Sequence, residues 1–200
     1  MSFAHEAGRA LRSTLILWVI TALFYPLVML GIGQLVFPFQ ANGSILTNAQ
    51  GQPVGSALIG QPFTSDRYFN SRPSTTNYST ADPKQDETNV LQTGVSGASN
   101  LAPSNPALPQ RVQAAIAQFS QAGIQPTADL VYTSGSSLDP HITPEAARAQ
   151  ITRIATTRKL QPKQLEDLIQ QNTDGRFLGI FGEPGVNVLK LNLAIDAFSR

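Results

Sequence analysis

Ser134-Gly135-Ser136-Ser137-Leu138-Asp139-Pro140-His141 is the densest run of side chains able to do chemistry. Hydroxyl, carboxylate and imidazole so close together invite a test as an activated nucleophile. The strand-to-helix elbow that presents a catalytic serine reads Gly-x-Ser-x-Gly. Gly135 and Ser137 begin that pattern, but Asp139 stands where its closing glycine belongs. Catalytic triads are also assembled from distant segments, whereas these residues are neighbours in the chain. A second chemistry for the same residues is conformational. Asp139-Pro140 makes a turn, the hydroxyls bond local backbone, and His141 leads into a helix start.

Metal binding is limited by the histidines. Asp139, His141 and Glu145 are close in sequence, but His5 is the only other histidine and lies before the apolar N-terminal run. The absence of cysteine excludes a disulfide framework and any zinc site with Cys ligands. No metal site is expected. For nucleotides, no Gly-x4-Gly-Lys-Ser/Thr loop is present. Gly31-Ile32-Gly33 lies in the apolar run and lacks a third glycine. Val95 to Ser99 is a small-residue loop whose amides can face an anion or simply turn the chain. Asn42-Gly43-Ser44 and Asn77-Tyr78-Ser79 match a glycosylation pattern short enough to arise by chance.

The element that places all of this is the N-terminal run. Leu15 to Gly33 carries no charge, and nineteen residues of helix span about 28 Å, close to a bilayer's hydrocarbon thickness. Bulky Phe39 spoils a signal-peptidase site at the end of the run, so an uncleaved anchor is expected. Arg9 and Arg12 precede the span, and no Lys or Arg follows until Arg67. By the positive-inside rule the N-terminus is cytoplasmic. The expected division is a cytoplasmic segment 1–12, a transmembrane helix 13–37 and an extracytoplasmic domain 38–200. Pro26 sits mid-span, where neighbouring groups must satisfy the carbonyl it frees. Trp18 and Tyr25 also lie within the span, which suits either a lipid-facing anchor or a helix packed on a membrane partner.

The outer domain reads as one α+β domain. Gln52 to Phe63 predicts a short strand region. Thr64 to Pro106 predicts a long polar loop held by Tyr68, Phe69, Tyr78, Val90, Leu91 and Leu101. Leu108, Val112, Ala115, Ile116 and Phe119 share a helical face, with Gly123 as the stop. Asp129 to Thr133 predicts a buried strand. Thr143-Pro144 starts a helix running to about Lys159, with Ala147, Ile151, Ile154 and Ala155 inward. Pro162 starts another, with Leu165, Leu168 and Ile169 inward, broken at Asp174-Gly175. Val186 to Ile195 alternates with a phase slip at Val188-Leu189, predicting a bulged strand or two elements. A net charge of +1 argues against nucleic acid, and no basic run suggests a lipid patch. These residues alone leave two classes: a subunit of a membrane complex, or an independent anchored binding domain or hydrolase.

Several stretches together resemble one family. They are Tyr25-Pro26, Phe37-Pro38, Gln40 to Ser44, Gly55 to Gln61, Ser71-Arg72-Pro73-Ser74, Ser99 to Leu101 and Ser104 to Pro106. Asp129 to Val131, Ser134 to Ile142, Gly182 to Leu189, Leu191 to Ala194 and Asp196 complete the set. In order and number they resemble the C subunits of the Kdp-type potassium-transporting ATPases of bacteria, over nearly the whole chain. Thr143 stands where serine is common in that pattern, Tyr132 replaces a smaller residue, and Gly185 stands where a basic residue is expected.

The resemblance implies a non-catalytic, single-pass subunit of the bacterial inner membrane, required for assembly and activity of an ATP-driven potassium importer. Its partners would be a channel-like potassium-binding subunit, a P-type ATPase subunit that hydrolyses ATP, and a small membrane subunit. This chain lacks the P-type motif Asp-Lys-Thr-Gly-Thr. The resemblance also implies a catalytic-chaperone role that raises the hydrolytic subunit's ATP affinity. Ser96, Gly97, Ser99 and Asn100 are the candidate nucleotide-facing residues, with no tightly bound cofactor expected. Either that role is indirect or the orientation is reversed, because cytoplasmic ATP cannot reach an extracytoplasmic domain; the flanking charges favour the former. The loop at Arg72 and Pro73, the Asp139–His141 segment and the turn carrying Glu183 and Asn187 are the expected partner contacts.

Overall fold

The computed structural model describes residues 3–80 and 94–198. It divides into two compact units, Met1–Ile45 and Leu46–Arg200. Val90 and Leu91, two expected loop anchors, lie outside the described residues.

The first unit is helical. α1 (Phe3–Trp18) continues through a π turn (Val19–Phe24) into α2 (Tyr25–Val36), and the short α3 (Pro38–Ala41) follows. The π turn has a local cause. Pro26 has no N–H, and its ring crowds the carbonyl one turn earlier, inside Val19–Phe24. Thr21 returns its hydroxyl to the Leu17 carbonyl at 2.8 Å, so it presents no unpaired donor. None of these helical residues is buried. A 34-residue helix so apolar and so exposed is long and apolar enough to cross a membrane.

In the second unit, β1 (Ile45–Thr47) and β2 (Pro53–Ser56) form a two-stranded sheet. A long loop leads to α4 (Ala107–Gln121), whose Leu108, Val112, Ala115 and Phe119 are half-buried as the periodicity predicts. Ile116 is the exception and faces outward. α5 (Ala128–Val131), β3 (His141–Ile142), α6 (Pro144–Ala149), α7 (Ile151–Arg158), α8 (Pro162–Gln171), β4 (Thr173–Asp174), β5 (Gly185–Asn187) and α9 (Val188–Phe198) follow. β5 is the centre of a three-stranded antiparallel sheet, pairing Val186 with both Ile142 and Thr173. Leu130, Ile142, Ile154, Leu165, Ile169, Val186, Leu191 and Ile195 fill the core between this sheet and helices α6 to α9.

Two element predictions need correction, and a third resolves between its two alternatives. Asp129 to Thr133 is not a strand but contains the single helical turn α5. Adjacent Leu130 and Val131 are both buried, and a run this short does not reveal its period. The predicted Thr143–Lys159 helix is two, divided at Gln150, whose backbone departs to φ −93°, ψ −8° and whose N–H closes a tighter turn on the Ala147 carbonyl at 3.0 Å. Of the two readings of Val186 to Ile195, two elements is the observed one. Strand β5 ends at Asn187, whose Oδ1 accepts the Lys190 N–H at 3.1 Å and so caps α9. Buried Val188, Leu191, Asn192 and Ile195 then repeat with helical spacing.

In the described part of the long loop, two amide clamps hold consecutive residues, Phe69 and Asn70. Asn192 accepts the Phe69 N–H at 2.8 Å and donates to the Phe69 carbonyl at 3.0 Å. Gln150 accepts the Asn70 N–H at 2.8 Å and donates to the Asn70 carbonyl at 3.3 Å. Two side chains thus do for consecutive residues what a neighbouring strand would do.

Candidate functional site

Arg72, Asp139 and His141 meet at the edge of the three-stranded sheet. The serines of Ser134–His141 are absorbed into backbone. Ser137, fully buried and left-handed at φ 60°, accepts the Thr75 N–H at 3.0 Å, and its carbonyl accepts the Ser74 hydroxyl at 2.8 Å. Ser134 and Ser136 bond each other's hydroxyls at 3.2 Å, and Ser134 N–H donates to the Pro73 carbonyl at 3.0 Å. This is the conformational chemistry rather than the nucleophilic one. The ring nitrogens of His141 face Asp139 and Asp174, not a serine hydroxyl.

Those contacts form a charge relay in space. Arg72 Nη1 lies 3.2 Å from Asp139 Oδ2. Asp139 Oδ1 accepts the His141 N–H at 2.9 Å and lies 3.5 Å from its Nδ1. On the far side of the ring, His141 Nε2 is 3.3 Å from Asp174 Oδ2, and Lys190 Nζ reaches the same oxygen at 4.0 Å. Gly185 packs closely beneath this span. A side chain there would begin 3.2 Å from the His141 Cβ, in the space over which the ring lies. Gly60 does the same beneath, since its missing Cβ would fall 2.8 Å from both the Asp139 carbonyl and the Tyr78 ring. Tyr78 donates its hydroxyl to the Arg72 carbonyl, and burial pushes its pKa up to about 12.

The other expected contacts are placed differently. Asn187 is buried, with its side-chain amide donating to the Ala57 carbonyl at 2.8 Å. Glu183 is exposed and pairs with Arg176 at 2.8 Å. The candidate nucleotide loop bonds to the Ser134–His141 segment. Gly97 N–H and the Ser96 hydroxyl both donate to the Ser136 carbonyl at 3.0 Å, and Ser99 Oγ lies 3.5 Å from Arg111. Asn100 is left-handed at φ 52°.

Among known proteins, the family described as KdpC, K+-transporting ATPase, c chain, matches residues 7–197. The chain belongs to the KdpC family. A potassium-transporting ATPase KdpC subunit of Microcystis aeruginosa is 69% identical, aligned over 100% of this chain and 99% of its own length. A KdpC subunit 1 of a Nostoc species is 70% identical over 98% of each chain. The subunit of Caldanaerobacter subterraneus, more distant, is 44% identical over 95% of this chain.

In this KdpC-family chain, Asp174 and Lys190 are site residues that sequence reasoning missed. Asp174 reads only as a helix breaker, and its approach to His141 depends on a strand pairing 33 residues away in sequence.

The relay titrates. The Asp139 hydrogen bond raises the His141 pKa above its ordinary 6.5 against the opposing effect of burial, and Asp174 adds to the rise. Burial disfavours the Asp139 carboxylate, but the His141 hydrogen bonds and Arg72 outweigh it and hold the pKa low. A raised histidine contributes stability that is fully present below its unfolded pKa and lost as pH rises through the folded value. His141→Gln is therefore expected to lower the unfolding temperature most below pH 6.5, with the deficit shrinking as pH climbs past the raised value. Thermal melts of both proteins from pH 5 to 9 check this; parallel curves throughout would contradict it.

Proposed function

We propose that this chain is the accessory, non-catalytic subunit of an ATP-driven potassium import complex. Its helix anchors it with the N-terminus in the cytoplasm, and its outer domain caps the outer mouth of a channel-like partner subunit. The observation that carries the reading is family membership over residues 7–197, joined to a single membrane-length helix. The flanking Arg9 and Arg12 support the orientation. The outer domain's paired, nearly neutral surface suits docking better than electrostatic steering of a cation. Hydrolysis of ATP belongs to a separate P-type subunit, because this chain lacks Asp-Lys-Thr-Gly-Thr. Any effect on that subunit's ATP affinity is exerted indirectly through the assembly. The internal bonding of Ser96 and Gly97 supports this, as does an outer location beyond the reach of cytoplasmic ATP.

Affinity purification of the tagged chain from its native membranes in mild detergent tests the reading. It is expected to recover a large Asp-Lys-Thr-Gly-Thr subunit, a channel-like subunit and a small membrane subunit in fixed proportion. Membranes lacking the chain are expected to lose potassium-stimulated ATPase activity. Recovery of the chain alone, with that activity intact in its absence, would overturn the proposal.

A further inference from the structure

His141 reaches across a strand. The sheet runs β3–β5–β4, so His141 and Asp174 sit on its two outer strands. Their side chains still meet, Nε2 to Oδ2, at 3.3 Å. The contact passes over Gly185, the ladder partner of Asp174, whose missing Cβ would lie 3.4 Å from both Cγ and Cδ2 of the ring.

Both ends of that ring face the same kind of group. Nδ1 lies 3.5 Å from Asp139 Oδ1, as Nε2 lies near Asp174. A neutral imidazole has one N–H and can donate to only one carboxylate; its bare nitrogen then turns a lone pair on the other. Only the imidazolium, with two N–H groups, suits both. The raised His141 pKa keeps the second proton on the ring to a higher pH than an ordinary histidine holds it.

The two carboxylates depend on that proton unequally. Asp139 keeps Arg72 Nη1 at 3.2 Å and the His141 backbone N–H at 2.9 Å whatever the ring carries. Among the described residues, Asp174 then keeps only Lys190 Nζ, at 4.0 Å. The central strand adds no charge. It brings Gly185 and Asn187, and the Asn187 amide is engaged by the Ala57 carbonyl and the Lys190 N–H. Arg176 and Glu183 pair with each other farther out.

Asp174 also ends β4, where the chain leaves the sheet as a hairpin, residues 175–184, and returns at Gly185. The hairpin closes on itself through backbone bonds of 2.8 and 2.9 Å between Phe177 and Phe181. Its root is held by a strand with only two ladder positions, Thr173 and Asp174. One side-chain bridge there is a large share of what fixes it.

We propose that His141 is a proton-dependent latch on the root of the 175–184 hairpin. With both ring nitrogens protonated, the latch ties β4 to the 139–141 segment across Gly185. With one proton lost, Arg72–Asp139 and Lys190–Asp174 become separate pairs and the root loosens. The latch is a property of this chain alone and stands apart from the complex-subunit reading.

Hydrogen exchange of the full chain in detergent tests it, with parent and His141→Gln compared at equal pH so that intrinsic rates cancel. At pH 6, peptides covering 173–186 are expected to exchange about tenfold faster in the variant, the effect of losing one charge-assisted bond at a local opening. At pH 9 the two proteins are expected to exchange alike. The pH at which the parent changes is expected to match the His141 titration, followed by NMR of histidine-labelled protein in which His5 gives the only other signal. A ratio of rates that is the same at pH 6 and pH 9 would overturn the proposal. If peptides of α8 also exchange faster in His141→Gln, Asp174→Asn, altered only at the exposed end of the latch, decides by whether its own ratio to the parent falls between those two pH values.

Discussion

Replacing Phe69 with alanine is expected to destabilise the outer domain by about 3–5 kcal/mol, the range for truncating a fully buried phenylalanine. The upper half of that range is favoured by its position. Phe69 belongs to the core cluster that also holds Leu130, Leu191 and Ile195, yet it is delivered by a loop with no strand partner. Loss of the ring leaves a cavity and also removes the reason for the loop to stay down. The Asn192 and Gln150 clamps then order the same backbone at greater entropic cost. Urea unfolding of the full chain in detergent, followed by the near-ultraviolet signal of the tyrosines, measures the loss. A midpoint within the error of the unaltered protein would show that the loop is not part of the core.

The second large effect concerns a buried cation. Arg158 is only 2% exposed at its side chain, lies 2.7 Å from Asp196 Oδ1 and stacks 4.7 Å from the centre of the Tyr68 ring. Its Nε also donates to the Arg67 carbonyl at 2.8 Å, while Tyr68 itself donates to Asp196 at 2.9 Å. Arg158→Ala removes the hub of this arrangement. Breaking a fully buried ion pair costs about 3–5 kcal/mol. Asp196 is 44% exposed and regains water, so a loss of about 2–3 kcal/mol is expected. Arg158→Lys is expected to recover only part of it, since an ammonium cannot bond Asp196 and Arg67 in the same planar fork while stacking on Tyr68. Equal stability of the lysine variant and the parent, by the same urea assay, would contradict this account.

Sequence legibility followed the reach of each interaction. The membrane-length helix was readable because length and uninterrupted apolarity are local properties. Helix α8 was equally plain: Pro162 opens it, Gln161 and Gln164 cap each other, and Leu165, Leu168 and Ile169 fall on one face. Helix α9 was ambiguous because Val186 to Ile195 satisfies a strand period and a helical one for several residues. The decision came from Asn187, which caps the helix while holding the Ala57 carbonyl. The clamp made by Gln150 was invisible because its partner, Asn70, is 80 positions away. At the site, Arg72, Asp139 and His141 stood out in the sequence, and the structure joins them. Their link to Asp174 was hidden in the ladder that sets it 3.3 Å from the imidazole.

The amide clamps also impose an order of events on folding. Phe69 waits for a side chain 123 residues later in the chain, and Asn70 for one 80 residues later. During synthesis from the N-terminus, the segment around them therefore lacks its full set of partners until α9 has been made. Such long-range closure slows folding and prolongs exposure of unpaired backbone. A nascent chain stalled before Val188 would present that loop, Phe69 included, to proteases and chaperones. Protection of that segment thus turns on helix α9, far from it in sequence.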